Sequence, residues 1–293
     1  MPGKELLLGR AGIQPPMRCA AFTVDVDRDV NLPETGRRDA ICQPREGDTT
    51  PRFSSSTRGL ELLAELLDDL GIRGTFFLEA VTAQQISKRA ELRDLLARHE
   101  VASHGWSHED LTGAYTKIEM SEEEVGETID DAAAMIERLT GRLPRGFRAP
   151  YQHVDEAVHR VLAKRGYWYD SSLTMDIRSR RIDIYGLPNG LIECPLARGI
   201  DKRGKPIHSY LWPMHEGKRD PEDYIHLLNQ YDEGLLILAT HSWHVIENYG
   251  GPLGRSGTEG QMENVRAILE NALDQGIKFD TLEKHVQRSA QNR

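Results

Sequence analysis

Two apolar runs constrain this chain more than any other feature in it: Cys19 to Val24 and Leu235 to Thr240. Neither follows the strict apolar–polar alternation of a strand with one wet face. Each therefore reads as a strand buried on both sides, as in a parallel sheet. Residues 74–78, 100–103, 146–148, 167–169 and 277–279 read as further strands, with shorter apolar pieces between 178 and 213, notably 190–196. Helical spacing fills the intervals. The first helix, 57–70, carries Leu60, Leu63, Leu66, Leu67 and Leu70, with Ser56 or Thr57 to cap its start and Gly71 to end it. Others follow at 84–98, 121–139, 155–164, 220–230, 259–274 and from 281. The helix at 121–139 opens on a capping box, Ser121 with Glu124. Strand and helix alternate about seven times, which predicts an α/β fold with a parallel sheet, open or closed into a barrel.

With 293 residues, no internal repeat and no low-complexity linker, the chain reads as one domain (1–293) with a core at about 19–288. Residues 28–56, with Pro33, Gly36, Pro44, Gly47 and Pro51, form a polar stretch of a length that is often functional. The balance of 37 basic against 46 acidic residues, net −9, excludes a nucleic-acid backbone as the main partner. No apolar run approaches the roughly 20 residues of a membrane helix. Residues 1–10 lack the apolar core of about 7–15 residues that a secretory signal needs. Cys19, Cys42 and Cys194 form no CxxC pair, which fits a reducing compartment. The expectation is a cytoplasmic protein with neither membrane nor nucleic acid as partner.

In parallel α/β folds the chemistry gathers just after the strands. Asp25 and Asp27 end the first strand, and residues two apart in extended chain share a face. Two carboxylates in one cleft need a metal or a base to offset their repulsion; the plain alternative is a pair of solvated loop acids. His104 and His108 follow the third strand. Histidines separated by three residues can meet on one side of a helical turn and chelate a divalent ion, although a chain with 11 His also offers such pairs by chance. One Asp with two His leaves a coordination position open, as in a catalytic site. Arg148 can clamp a carboxylate bidentately, or be a surface loop residue. Tyr151 follows Pro150 in a turn that can aim a backbone N–H at an oxyanion. Asp170 can orient a His or an Arg, or cap a turn. His241 ends the most buried strand and is a candidate general acid, with a satisfied core histidine as the alternative.

These residues sit in stretches that resemble the polysaccharide deacetylase family, carbohydrate esterase family 4, with its NodB-homology fold. The stretches are Phe22-Thr23-Val24-Asp25-Val26-Asp27, Thr75-Phe76-Phe77, Ser103-His104-Gly105-Trp106-Ser107-His108, Phe147-Arg148-Ala149-Pro150-Tyr151, Tyr169-Asp170-Ser171-Ser172 and Leu238-Ala239-Thr240-His241. The resemblance implies an irregular (β/α) barrel of about seven parallel strands, consistent with the alternation above. It implies Asp25 as the catalytic base, held by Arg148. Asp27, His104 and His108 are implied as ligands of a divalent metal, zinc. His241 is implied as the acid, tuned by Asp170, with the Tyr151 backbone N–H at the oxyanion.

One departure carries meaning. The family motif has two adjacent Asp residues, whereas Val26 separates Asp25 from Asp27. That form is similar to the branch holding intracellular peptidoglycan-deacetylase-like proteins and the metal-independent allantoinases and cyclic imidases. The branch implies a homo-oligomer without a signal peptide. The expected activity is metal-dependent removal of N-acetyl groups from an amino sugar or an oligo- or polysaccharide, peptidoglycan- or chitin-like. The alternatives are a cyclic amide or imide hydrolase, with residues 28–56 as its lid, and a non-catalytic carbohydrate-binding protein. Trp106, Tyr210, Trp212 and Trp243 are the candidates to stack on a sugar ring. The net charge of −9 shifts weight from anionic wall polymers to a small soluble substrate.

Overall fold

A computed structural model describes residues 17–291. The reading of residues 1–10 as lacking a leader lies outside the described residues. Seven parallel strands form the central run of a ten-stranded sheet, flanked by the short strands Tyr185–Gly186 and Arg181–Ile182: β1 (Arg18–Val26), β2 (Thr75–Leu78), β3 (Glu100–Ser103), β4 (Gly146–Phe147), β5 (Tyr169–Asp170), β6 (Ile192–Glu193) and β7 (Glu233–His241). Their spatial order is β6-β5-β4-β3-β2-β1-β7, and β8 (Lys278–Phe279) adds a parallel pairing to β1. The helices are α1 (Phe53–Asp69), α2 (Ala80–Ile86), α3 (Glu122–Thr140), α4 (Glu156–Lys164), α5 (Pro221–Leu228), α6 (Gly254–Asp274) and α7 (Leu282–Gln291). The sheet curls without closing through its own ladder. A small sheet of Thr174–Asp176, Leu196–Ile200 and Pro206–His208 lies in the gap. One end of this bridge continues from β6. The other reaches β7, where Leu211 N–H donates to Ala239 O at 2.7 Å and Ala239 N–H to Ser209 O at 3.0 Å. The parallel sheet expected from the alternation, and the irregular barrel that the resemblance implies, are the fold observed.

The period of two along β1 and β7 explains both the core and the site. Ala20, Phe22, Val24, Leu236 and Leu238 point outward and pack with Leu60, Leu63 and Leu67 of α1 and with Ile268 and Leu269 of α6. Cys19, Ala21, Leu235, Ile237 and Ala239 point inward with Phe77 and Tyr169. The same inward parity carries Thr23, Asp25 and His241 into the barrel mouth. Both faces are covered, so the runs read as continuous rather than alternating.

Three expectations change. Helix α1 starts at Phe53 with no side-chain cap, so Ser56 and Thr57 lie within the helix. Ser56 is buried there because its hydroxyl meets that of Ser242 at 2.5 Å, tying α1 to the loop after β7. The helix expected at 84–98 is instead α2 plus a separate turn at Leu92–Leu95, which still buries Ala83, Ile86, Leu92 and Leu96. Residues 28–52 are fastened down rather than loose. The hairpin Asn31–Leu32 with Ile41–Cys42 is held by ion pairs of Arg28 with Glu79, Arg52 with Asp29 and Arg45 with Glu247. The capping box at Ser121 and Glu124 forms as read. Cys19, Cys42 and Cys194 are buried and free. Among the described residues no helix is long and apolar enough to cross a membrane.

Candidate active site

The strand register gathers the polar ends. Asp25 lies level with His241 of β7 on one side and Phe77 of β2 on the other. Ser103, Phe147 and Asp170 are level across β3, β4 and β5, so the residues that follow them, His104, Arg148 and Ser171, emerge at the same rim. They open on a cavity of about 550 Å³ lined by Asp25, Asp27, His104, His108, Tyr210 and His241 among others.

Asp25 is 2% exposed and doubly held. Arg148 Nη1 donates to its Oδ1 at 2.8 Å, and the Tyr210 hydroxyl donates to its Oδ2 at 2.7 Å. Burial alone would push the Asp25 carboxyl up. The Arg148 guanidinium, the neighbouring His104 and His241 and the Tyr210 hydroxyl outweigh it and hold the group below the ordinary carboxylate range. Arg148 is itself fully buried. It bonds Thr23 Oγ1, Ser171 O and Ser171 Oγ, each at 2.9 Å, and lies 4.2 Å above the Phe77 ring. Each of its three nitrogens is hydrogen-bonded, so the fork is held in place and fixes the carboxylate as well as charging it.

Asp27, His104 and His108 each present a ligand atom, and the three atoms lie within 4.8 Å of one another. His104 Nδ1 pairs with Arg148 O at 2.8 Å, leaving Nε2 free to face the cavity. Asp27 Oδ2 accepts from Asn31 Nδ2 at 2.7 Å, while its buried Oδ1 has no partner. His108 Nδ1 is likewise buried and unpartnered. Burial, reinforced by Asp25 and Glu79, drives the Asp27 carboxyl well up; burial, reinforced by His104 and Arg28, drives the His108 imidazole well down. An orphaned carboxylate oxygen beside two imidazoles is a donor set that fits a divalent cation, which would supply the positive charge these atoms lack.

His241 Nε2 meets the Tyr210 hydroxyl at 2.9 Å and lies 3.8 Å from Asp27 Oδ2. Its ring stacks on Trp243 with centroids 5.3 Å apart and meets Trp212 edge-on at 4.9 Å. Burial holds its pKa well below the usual imidazole value despite the Asp25 charge. Tyr151 sits in the left-handed region (φ 58°) and lines the cavity, its ring 4.5 Å from that of His108. A non-glycine residue in that region, followed by Gln152 in the same one (φ 54°), is backbone strain of the kind that clusters at functional sites.

Two expected placements fail. Asp170 does not reach His241. Its Oδ2 bonds His159 Nε2 at 3.1 Å and its Oδ1 accepts from Ser172 Oγ at 2.7 Å, because β5 is separated from β7 by four strands. Trp106 is not among the cavity-lining residues, whereas Trp243 is, its ring buried against that of His241. Tyr210 and Trp212 do line the cavity. Sequence reading missed the double contact of Tyr210. No periodic strand surrounds it, and only its pairing to Ala239 brings it between Asp25 and His241. Thr23 was legible in principle, two residues before Asp25 on the same face.

The polysaccharide deacetylase family profile matches residues 48–169, which include His104, His108, Arg148 and Tyr151. A peptidoglycan deacetylase-like protein of Gibberella zeae is 27% identical over 155 residues, 52% of this chain and 43% of that relative. A peptidoglycan deacetylase of Helicobacter pylori is 28% identical over 115 residues, 39% of this chain and 37% of its own length. The matched segments thus span less than half of either relative. Among solved structures, a polysaccharide deacetylase-class protein of Mycobacterium smegmatis superposes with a TM-score of 0.67 at 22% identity, covering 96% of this chain and 93% of that one. A carbohydrate esterase family 4 pseudoenzyme of Bacillus anthracis gives 0.53 at 14% identity, covering 93% and 66%. Likeness at these identities shows the fold, which active and inactive proteins share.

Proposed function

We propose, from the match of residues 48–169 to the polysaccharide deacetylase family and the shared fold, that the chain is a member of that family and hydrolyses the acetamide of an N-acetylated amino sugar or a short oligosaccharide, releasing acetate. The observation that carries this reading is one bridge: the Tyr210 hydroxyl joins Asp25 (2.7 Å) to His241 (2.9 Å) directly beside the Asp27, His104 and His108 donor set. A base, an acid and a cation cradle in one cavity are the parts that amide hydrolysis needs.

Asp27, His104 and His108 would hold the cation, for which zinc is the proposed ion. When bound it polarises the acetyl carbonyl and makes a nearby water more acidic. Asp25, ionised and fixed by Arg148, takes a proton from the attacking water at Oδ2 as the oxygen–carbon bond forms. The Tyr151 backbone N–H faces the oxyanion that develops, a contact of a kind typically worth about 3 kcal/mol. His241 holds no spare proton at neutral pH, since burial depresses its pKa. The Tyr210 hydroxyl relays the proton taken at Asp25 to His241 Nε2, which hands it to the leaving nitrogen as the carbon–nitrogen bond breaks. Arg148, Ser171 and Thr23 keep the base in place; Asp170 acts from outside the cavity.

Tyr210 and Trp212 offer aromatic surface to a sugar ring. A cavity of about 550 Å³ holds one or two sugar rings and suits a short substrate better than a long polymer. A single catalytic domain, a homo-oligomer and a cytoplasmic location complete the proposal, the last supported by the three free cysteines. The test sets acetate release from N-acetylglucosamine oligomers beside ring opening of succinimide and hydantoin. Acetate release supports the proposal. Ring opening without acetate replaces it with cyclic-imide hydrolysis, and neither activity replaces it with a binding protein.

A further inference from the structure

Away from the cavity, three more metal-ligating side chains converge. His159 comes from α4, Asp170 ends β5 and Glu193 ends β6; the two acids are level across the parallel pair. One ligand atom from each lies within 4.8 Å of the other two. His159 Nε2 is 3.1 Å from Asp170 Oδ2. The outer oxygens are spoken for: Asp170 Oδ1 accepts from Ser172 Oγ at 2.7 Å, and Glu193 Oε1 from Leu173 N–H at 3.0 Å. Glu193 Oε2 has no partner although Glu193 is fully buried, as is Asp170. Among the described residues neither carboxylate has a Lys or Arg within salt-bridge distance. Arg148, the guanidinium whose charge reaches Glu193, is committed to Asp25, Thr23 and Ser171.

Neighbouring carboxylates on parallel strands repel, and burial away from water magnifies the repulsion. Hydrophobic packing cannot relieve it and no Lys or Arg side chain does. Two inward oxygens and one imidazole nitrogen are the donors of borderline divalent ions such as zinc and manganese. The His159 side chain is 11% exposed, which leaves a path from solvent.

We infer that His159, Asp170 and Glu193 form a second divalent-cation site, separate from the Asp27, His104 and His108 cradle, that locks the ends of β5 and β6 to α4. Its effect reaches the active site through serines. Ser172 Oγ bonds Asp170 and accepts the Ala149 N–H at 2.8 Å, and Ser171 carries Arg148. The second ion is therefore a structural brace behind the arginine that holds the base.

The test is zinc stoichiometry on the whole chain, stripped of metal, dialysed against zinc at pH 7 and measured by elemental analysis. Two ions per chain are expected in the unmodified protein, one in Glu193→Gln, one in Asp27→Asn and none in the double variant. His159→Gln, at the rim, should also lose one. In the Asp27→Asn background zinc should raise the melting temperature, and adding Glu193→Gln should abolish that rise. One ion per chain in the unmodified protein, or an unchanged count in both Glu193→Gln and His159→Gln, overturns the inference and shows that Glu193 and Asp170 share a proton instead. Because the readout is ion count rather than acetate, its failure leaves the proposed activity untouched.

Discussion

At the scale of single residues, the proposed chemistry turns on what holds Asp25. Its carboxyl is pulled down by a buried guanidinium bonded through all three of its nitrogens. Replacing Arg148 with Met leaves a buried carboxylate without its counter-charge, a change that typically destabilises by about 3–5 kcal/mol. Arg148→Met is expected to lower the melting temperature and reduce turnover at least about 100-fold, because the carboxyl then takes a proton and stops serving as a base. Unchanged turnover in a folded variant contradicts the role. His241→Ala should keep the cradle ion and lose most turnover. Tyr210→Phe should keep both the ion and the fold but slow turnover about 10–100-fold, since proton transfer then lacks its bridge. A Tyr210→Phe variant with full activity removes the relay and leaves Tyr210 as packing.

At the scale of elements, the sequence carried the barrel strands and the cradle better than the connections. Parity along β1 made Asp25 and the inward face legible, since a continuous apolar run followed by acids has few other interpretations. Tyr210 and the small closing sheet were not legible, because two- and three-residue strands have no periodicity to read. Asp170 was misplaced for a related reason. A strand end predicts a rim position but not which neighbour across the rim is in reach. Two element-level contacts are testable. A methyl group at Gly59 of α1 would lie 1.7 Å from Ser242 O, in the loop whose Ser242 N–H bonds Asp25 O at 2.9 Å. Gly59→Ala should destabilise by about 1–3 kcal/mol and lower activity together, by displacing that loop. Thermal melts with an unchanged midpoint contradict this packing.

The last helix offers a pH test. His285 of α7 faces Asp183 at 3.4 Å. Burial alone would lower its pKa, but Asp183 and Cys19 raise it to about 9. A histidine whose folded pKa exceeds its unfolded value of about 6.5 stabilises fully below that value. The contribution is lost as pH rises through about 9. His285→Gln should therefore destabilise by about 1.5 kcal/mol near pH 6 and by much less at pH 10. An equal loss at both pH values, in denaturant titrations, contradicts the charged pairing.

At the scale of the whole molecule, the proposed preference for small neutral substrates rests on charge and on the shape of the site. A net charge of −9 is unsuited to anionic wall polymers, and the single barrel mouth is a cavity rather than a long groove. Residues 28–56, the candidate lid, are instead strapped by three ion pairs over 28–52, deliver Asn31 to Asp27 and end in α1. They shape the cavity wall and support the cradle, and a loop fastened that way is poorly built to open and close. The fold supplies the rim, and the chemistry depends on what the rim residues hold.

The most direct measurement is acetate release from N-acetylglucosamine oligomers by the zinc-loaded protein, the chelated protein and Asp27→Asn, with succinimide ring opening followed in parallel. The account predicts acetate from the loaded protein, at least about a 100-fold fall on chelation or substitution, recovery of the chelated protein when zinc is restored, and no ring opening. Ring opening without acetate, or acetate release indifferent to both chelation and Asp27→Asn, contradicts it.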